Sequence, residues 1–121
     1  MALLTNLDDR RNERDADEVT LSTVHQAKGM EWPVVMVPWL SEGMFPSGKA
    51  AEEGRMDEER RLFYVALTRA KDWLYLYSPQ IRKTADGGVF PVESSVFVKE
   101  IPEELLETRR VLFNPMMTRR W

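Results

Sequence analysis

The chain has 121 residues, 43% hydrophobic and 31% charged, which predicts one soluble globular domain or part of one and excludes a fibrous or disordered protein. Because it has no cysteine and only one histidine, His25, the sequence excludes disulfides, thiolate metal sites and multi-histidine zinc centres, although carboxylates could still hold a magnesium ion. The net charge of −3, the lack of a bilayer-spanning apolar run and the lack of a signal-peptide pattern lead us to expect a cytoplasmic protein with no membrane partner.

The first half of the chain is predicted to hold two strands and a long loop. Residues 1–18 are interpreted as a frayed helix end followed by a charged linker. Alternating apolar residues over 19–23 predict a half-buried strand, and the apolar run over 34–37, between two prolines, predicts a buried strand. The glycines and prolines over 39–55 predict a loop whose length suggests a functional role.

The most strongly patterned segment is a predicted helix over residues 57–70. Acidic residues stand in its first turn, where they complement the helix dipole, and Leu62, Val65 and Ala66 follow at helical spacing. The aromatic and apolar residues 73–77 come next and predict a third strand, also buried.

The remaining sequence predicts a turn at 86–88, a short helix over 95–99 and a further helix for which Pro102 suits the first turn. Strands separated by a helix indicate an α/β layer with a parallel sheet. Three strands leave the edges of such a sheet uncovered, so we expect its other strands to come from sequence outside this chain.

The first segment with chemically active side chains is TVHQAKGMEW, residues 23–32, directly after the first predicted strand. Ligands of α/β proteins bind at the carboxyl ends of parallel strands. There, Gly29 would let the backbone approach a phosphate, and Lys28 would supply positive charge. Taken singly, these residues are as well explained as turn and surface residues, but the whole string favours a functional site.

The second such segment is EERRLFYVALTRAK, residues 58–71, on the predicted helix. Arg61 and Arg69 flank a partly apolar face of that helix, and Arg69 stands directly before an apolar strand. Glu–Arg pairs on a solvated helix face explain Arg60 but not Arg69. An arginine in this position is either paired or directed at an anion.

These two segments resemble motifs V and VI of the superfamily 1 helicases related to UvrD, PcrA and Rep. The segments SEGMFPS, residues 41–47, and VFVKEIPEELLE, residues 96–107, resemble the same C-terminal region. The resemblance covers residues 19–107 in the family's order. It implies the C-terminal half of the second RecA-like domain, domain 2A, an incomplete α/β domain with a parallel sheet flanked by helices, followed by a tail over 108–121.

The resemblance implies an ATP-dependent DNA helicase of 3′-to-5′ polarity that couples ATP hydrolysis to movement along single-stranded DNA and to unwinding in repair or replication. Arg69 matches the motif VI arginine that contacts the γ-phosphate as an arginine finger. A permanently charged, planar guanidinium suits the charge that develops on a transferring phosphoryl group. Glu31 matches the motif V carboxylate that holds the nucleotide ribose.

Further residues of motif V match family positions that lie near the nucleotide or near the DNA. Lys28 and Gly29 match positions that line the nucleotide, whereas Thr23 and His25 match positions near the single-stranded DNA backbone. The implied partners are single-stranded DNA, duplex junctions, and the first RecA-like domain and 2B insertion of a longer parent chain. ATP and Mg²⁺ would be held mainly by that first domain, because this sequence has no GxxxxGK[ST] phosphate loop. We therefore expect the chain alone to be inactive as an ATPase.

Two alternatives remain open from the sequence. One is the helicase region of a RecB- or AddA-type helicase–nuclease, whose motifs V and VI are similar. The other is a free-standing accessory module that binds DNA or a partner protein without ATPase activity. A parent sequence with a phosphate loop excludes the accessory module, and a following nuclease domain identifies the helicase–nuclease.

Overall fold

The computed structural model describes residues 17–111, which form short helices and strands. In chain order the elements are α1 (Val24–Ala27), β1 (Trp32–Val37), α2 (Gly48–Glu52), α3 (Met56–Leu67), β2 (Ala70–Leu76), β3 (Ile81–Lys83), β4 (Val89–Pro91), α4 (Val96–Lys99) and a 3₁₀ helix (Glu103–Leu105). None of the helices in this range is long and apolar enough to cross a membrane. The predicted helix end within residues 1–18 and most of the tail over 108–121 lie outside the described residues.

The central sheet consists of β1 and β2, which pair in parallel from Trp32 opposite Ala70 to Val37 opposite Leu76. The register shifts between Trp32 and Val34, where Pro33 has no backbone N–H to give to the ladder. The connection between the two strands contains α3, which packs against both the sheet and α1. The predicted parallel sheet is therefore confirmed, although with two strands and not three.

The first predicted strand, residues 19–23, is wrong for this structure. The segment is not part of any sheet, and its apolar side chains are exposed, Val19 by 89% and Leu21 by 81%. A strand requires a neighbouring strand to bond with its backbone, and no other part of residues 17–111 pairs with this one. The alternating pattern alone does not produce a strand.

A helix and a β-hairpin lie where the sequence predicted only a loop and a turn. Helix α2 forms inside the predicted loop over 39–55, and its first turn is capped by Ser47, whose Oγ accepts from the Ala50 amide at 3.1 Å. Strands β3 and β4 form an antiparallel hairpin around the predicted turn at 86–88. The carboxylate of Asp86 accepts from the Thr84 hydroxyl and from the Gly88 amide, which closes the turn and lowers the pKa of Asp86.

Residues at the two ends of helix α3 explain where it begins and ends. Asp57, Glu58 and Glu59 stand in its first turn, as the sequence predicted. At its other end the Thr68 hydroxyl lies 3.0 Å from the Tyr64 carbonyl oxygen, and β2 begins two residues later. The helix therefore ends three residues before the predicted boundary.

The hydrophobic core lies where α3, the end of β1 and α4 meet. Its buried members are Val37, Leu40, Phe63, Ala66 and Phe97. The rings of Phe63 and Phe97 stack with centroids 5.5 Å apart, and the Phe45 ring contacts Phe97 edge-on at 5.8 Å. This aromatic cluster connects α3 to the loop after β1 and to α4.

An ion pair holds α4 against α3 at the surface. Arg60 donates from Nε to Glu100 Oε2 at 3.1 Å and from Nη2 to Glu100 Oε1 at 2.9 Å. These hydrogen bonds lower the pKa of the Glu100 carboxyl, and they raise the pKa of Arg60. Ser95 caps α4 by accepting from the Phe97 amide at 3.3 Å. The short helix predicted over 95–99 is thus confirmed.

Within residues 17–111, only one face of the central sheet is covered. Val35 and Val37 point toward the core. On the other face Val34 lies opposite Trp73 and Met36 lies opposite Tyr75, and these four side chains are between 44% and 63% exposed. The strands were predicted to be buried, and in this structure half of each strand faces solvent as one continuous apolar surface.

Replacement of Phe97 by Ala tests the core. The ring is 1% exposed, so its loss leaves a cavity, and we expect the free energy of unfolding to fall by about 3–5 kcal/mol. The matched control is Phe90→Ala on β4, where the ring is 41% exposed and the expected cost is below about 1 kcal/mol. Urea denaturation of the two variants measures both, and equal losses would place the core elsewhere.

Candidate functional site

The two candidate motifs meet at one edge of the central sheet. Glu31 directly precedes β1, and Arg69 directly precedes β2. Because β1 and β2 are parallel, both residues lie at the amino edge of the sheet. The sequence analysis placed the site at the carboxyl end of a strand over 19–23, and the structure corrects this because that strand is not formed.

Arg69 contacts three neutral oxygen atoms. Its Nε donates to the Val65 carbonyl oxygen at 3.1 Å, and its Nη1 donates to the Met30 carbonyl oxygen at 3.0 Å. Its Nη2 donates to Thr68 Oγ1 at 3.2 Å. A guanidinium has five N–H groups, so two of them have no partner in the part of the chain that the structure describes. Within residues 17–111, no carboxylate forms an ion pair with Arg69.

A backbone hydrogen bond joins the same two segments. The amide of Trp32 donates to the Arg69 carbonyl oxygen at 2.9 Å. This bond and the Nη1 contact to Met30 link residues that are 37 and 39 positions apart in the sequence. The side chain and the backbone of Arg69 therefore both hold the start of β1.

The turn between α1 and β1 carries three of the predicted site residues. Gly29 has φ of +81°, a left-handed conformation that side chains rarely adopt, and the Met30 amide donates to the Ala27 carbonyl oxygen at 3.0 Å. Lys28, Gly29 and Glu31 are all exposed. Within the described part of the chain, no hydrogen bond or ion pair forms with the exposed Glu31 carboxylate.

The other two predicted residues lie on α1. Thr23 is its N-cap, and Thr23 Oγ1 accepts from the Gln26 amide at 3.2 Å. The hydroxyl proton of Thr23 stays available for donation, while the His25 ring is exposed. Thr23 therefore has a structural role that sequence reasoning had not assigned to it.

A cleft of about 420 Å³ lies between α1 and α3. His25 and Lys28 line it from α1 and the following turn, and Arg61 and Glu58 line it from α3. Neither Lys28 nor Arg61 forms an ion pair with any residue in the range 17–111. The structure thus brings Lys28 together with His25, not with Arg69. Arg61 had been seen only as a helix-face residue, because no sequence signal places it opposite α1.

The described residues contain no group of three or more His, Asp or Glu side chains that could hold a metal ion. In the first turn of α3, Asp57 pairs with Arg60 at 3.1 Å and Glu59 Oε2 accepts from the Ser47 amide at 3.4 Å, so these carboxylates make separate contacts. Residues 17–111 therefore present no preformed cluster of three such ligands to a Mg²⁺ ion.

Replacement of Gly29 by Ala tests the motif V turn. No atom lies within 4 Å of the position that a Cβ would take, so the cost comes from the positive φ alone. We expect a loss of about 1–2 kcal/mol in the free energy of unfolding. The control Gly48→Ala in α2 also meets no atom within 4 Å but needs no positive φ, and it should be neutral or stabilising by up to about 1 kcal/mol. Equal effects would contradict the left-handed turn.

Comparison with known proteins identifies the family. The family profile of the UvrD-like helicase C-terminal domain matches residues 1–80. The chain is 44% identical over 112 residues to the ATP-dependent DNA helicase PcrA of Bacillus subtilis, an alignment that covers 88% of this chain and 15% of that protein.

Two further relatives give the same result. DNA helicase II of Escherichia coli is 44% identical over 96 residues, which cover 78% of this chain and 13% of that protein. The ATP-dependent DNA helicase Rep of Buchnera aphidicola is 34% identical over 113 residues, which cover 93% of this chain and 17% of that protein. The chain thus spans 13–17% of the length of these relatives. It belongs to the UvrD-like helicase C-terminal domain family.

Proposed function

We propose that this chain forms the C-terminal half of domain 2A, the second RecA-like domain of an ATP-dependent DNA helicase, and contributes Arg69 to the γ-phosphate of ATP. Three relatives that span most of the chain are named DNA helicases, which supports this assignment. ATP and Mg²⁺ would be held mainly by the first RecA-like domain of the same protein. The chain would then supply one wall of the nucleotide site.

The observation that carries the proposal is the environment of Arg69. Its guanidinium is held by carbonyl and hydroxyl oxygens, and within residues 17–111 no carboxylate neutralises its charge. Two of its N–H groups have no partner among the described residues. A fixed, unneutralised guanidinium can stabilise the negative charge that builds up on a phosphoryl group in the transition state. Arg60, by contrast, is bonded to the Glu100 carboxylate.

The nucleotide wall is completed by Glu31 and the turn before it. An exposed carboxylate without a partner among the described residues can accept hydrogen bonds from ribose hydroxyls. The left-handed Gly29 has no side chain to obstruct a ligand, and Lys28 adds a positive charge one residue earlier. These features support the roles that the resemblance implies for all three residues.

The DNA contact of the proposal lies at α1. The Thr23 hydroxyl and the His25 ring are exposed and can donate to phosphate oxygens of single-stranded DNA, whatever the base. The end of α1 at Ala27 and Glu31 are separated by three residues. A movement of the nucleotide wall would therefore be transmitted to the DNA contact over a short stretch of chain, as coupling of hydrolysis to translocation requires.

The uncovered sheet face supports the proposal that this chain is one part of a larger RecA-like domain. Sheets in α/β proteins carry helices on both faces, and here the face with Val34, Met36, Trp73 and Tyr75 has none. The extended residues 19–23 also have apolar side chains without a partner strand. Both features fit a sheet completed by other parts of domain 2A.

Replacement of Arg69 by Ala in the full-length helicase tests the proposal. Loss of a guanidinium that acts only as the domains close should lower the single-turnover ATPase rate by about 10³–10⁵-fold. Nucleotide affinity should fall far less than turnover. Arg69→Lys keeps the charge but loses the planar fork, so it should restore little of the rate.

The matched control is Arg109→Ala, which removes a guanidinium that is paired with Glu107 at 2.8 Å and 80% exposed. This variant should keep the wild-type rate. If Arg69→Ala keeps turnover within a few fold of the wild type and costs only about 1 kcal/mol of stability, Arg69 is a surface arginine and the proposal fails.

A second pair of variants separates the two halves of motif V. Glu31→Ala should mainly raise the apparent KM for ATP, because a ribose contact is made in the ground state and the transition state alike. His25→Ala should leave DNA-independent hydrolysis intact and reduce its stimulation by DNA. Steady-state ATPase assays with and without single-stranded DNA measure both effects, and equal losses in both variants would contradict the division.

A further inference from the structure

We propose that Arg69 has a second role, as the positioning residue for Glu31, and that this role does not require a γ-phosphate. The inference rests on the proposed function in one respect, the contact between Glu31 and the ribose. It adds a task for Arg69 that comes before catalysis, namely to build the part of the site that recognises the sugar.

The contact that carries the inference is the hydrogen bond from Arg69 Nη1 to the Met30 carbonyl oxygen, 3.0 Å long. The carbonyl of Met30 and the amide nitrogen of Glu31 belong to one planar peptide unit. A donor that fixes this carbonyl therefore fixes the orientation of that unit, and with it the direction in which the Glu31 side chain leaves the backbone. The amide of Trp32, the residue after Glu31, donates to the Arg69 carbonyl oxygen at 2.9 Å. Arg69 therefore holds the backbone on both sides of Glu31.

The guanidinium is itself held rigidly enough to act in this way. Its Nε is bonded to the Val65 carbonyl oxygen and its Nη2 to Thr68 Oγ1, so two contacts tie it to the end of α3. The Thr68 hydroxyl in turn lies 3.0 Å from the Tyr64 carbonyl oxygen. A cation is also favoured at the C-terminus of a helix by the helix dipole. The Arg69 guanidinium thus connects the end of α3 to the Met30 carbonyl and sets the position of Met30.

The two roles of Arg69 use different N–H groups. Three groups hold Val65, Met30 and Thr68, and the remaining two are open to an anion. The positioning role should consequently be present with ADP, which has no γ-phosphate. ADP therefore separates the two roles in one experiment.

The test measures the binding of ADP, and of its dideoxy form without ribose hydroxyls, to the full-length helicase by calorimetry. The wild type should prefer ADP about tenfold, the value of one or two hydrogen bonds to a charged group. Glu31→Ala and Arg69→Ala should each remove this preference, and the double variant should be no weaker than either single one, because both changes remove the same contact. The control Arg109→Ala should keep the full preference.

The outcomes separate this inference from the proposed function. An Arg69→Ala variant that loses turnover but keeps the wild-type preference for ADP overturns the positioning role and leaves the arginine finger standing. A variant that loses the preference but keeps turnover overturns the finger and leaves the positioning role standing. If Glu31→Ala keeps the preference, the positioning role is overturned as well.

Thermal unfolding monitored by circular dichroism shows whether Arg69→Ala still folds. A second pair of variants tests the positioning role if it does not. Thr68→Val removes the hydroxyl that accepts from Nη2 and keeps the size of the side chain. It should reduce the preference for ADP several-fold, and Thr68→Ser should restore it because the hydroxyl returns. Equal preferences in these two variants and the wild type would contradict the proposed anchoring of the guanidinium.

Discussion

The structure of the candidate site depends on the pair of hydrogen bonds between Arg69 and the start of β1. Arg69 donates to the Met30 carbonyl oxygen and accepts from the Trp32 amide, so the end of α3 and the turn before β1 are held together at the amino edge of the sheet. Without the contact to Met30, the two motifs would share only the strand ladder that begins at Trp32 opposite Ala70. The nucleotide wall that we propose exists because these segments are fixed to one another.

The core supports this link from the other side of α3. Phe63 and Ala66 are buried against Val37 and Phe97, which sets the position of α3 on the sheet. Arg69 follows Ala66 by three residues and Phe63 by six, so packing within the last two turns of the helix places its guanidinium. The opposite sheet face has no such cover, and its exposed Trp73 and Met36 fit a domain that continues beyond the described residues.

Much of this fold could be predicted from the sequence, where patterns are local. Helix α3 and strands β1 and β2 follow from apolar spacing and acidic residues near a helix start, and motif resemblance identified the family. The segment 19–23 was misjudged because a strand needs a partner that the pattern does not supply. The partners of Arg69 could not be predicted, since Met30 lies 39 residues away and its contribution is a backbone carbonyl. The short helix α2 and the β3–β4 hairpin were missed because each element is only three to five residues long and lies among glycines and prolines.

Amide hydrogen exchange at Trp32 tests the link between the two motifs most directly. In the nucleotide-free chain the Trp32 amide is bonded to Arg69, and we predict protection comparable to that of amides inside β1. In Arg69→Ala, loss of the contact to Met30 should free the start of β1, so the Trp32 amide should exchange at least about tenfold faster while the amide of Phe63 in α3 keeps its wild-type rate. Unchanged protection of Trp32 in the variant would show that the strand ladder alone holds the site, and it would contradict the account.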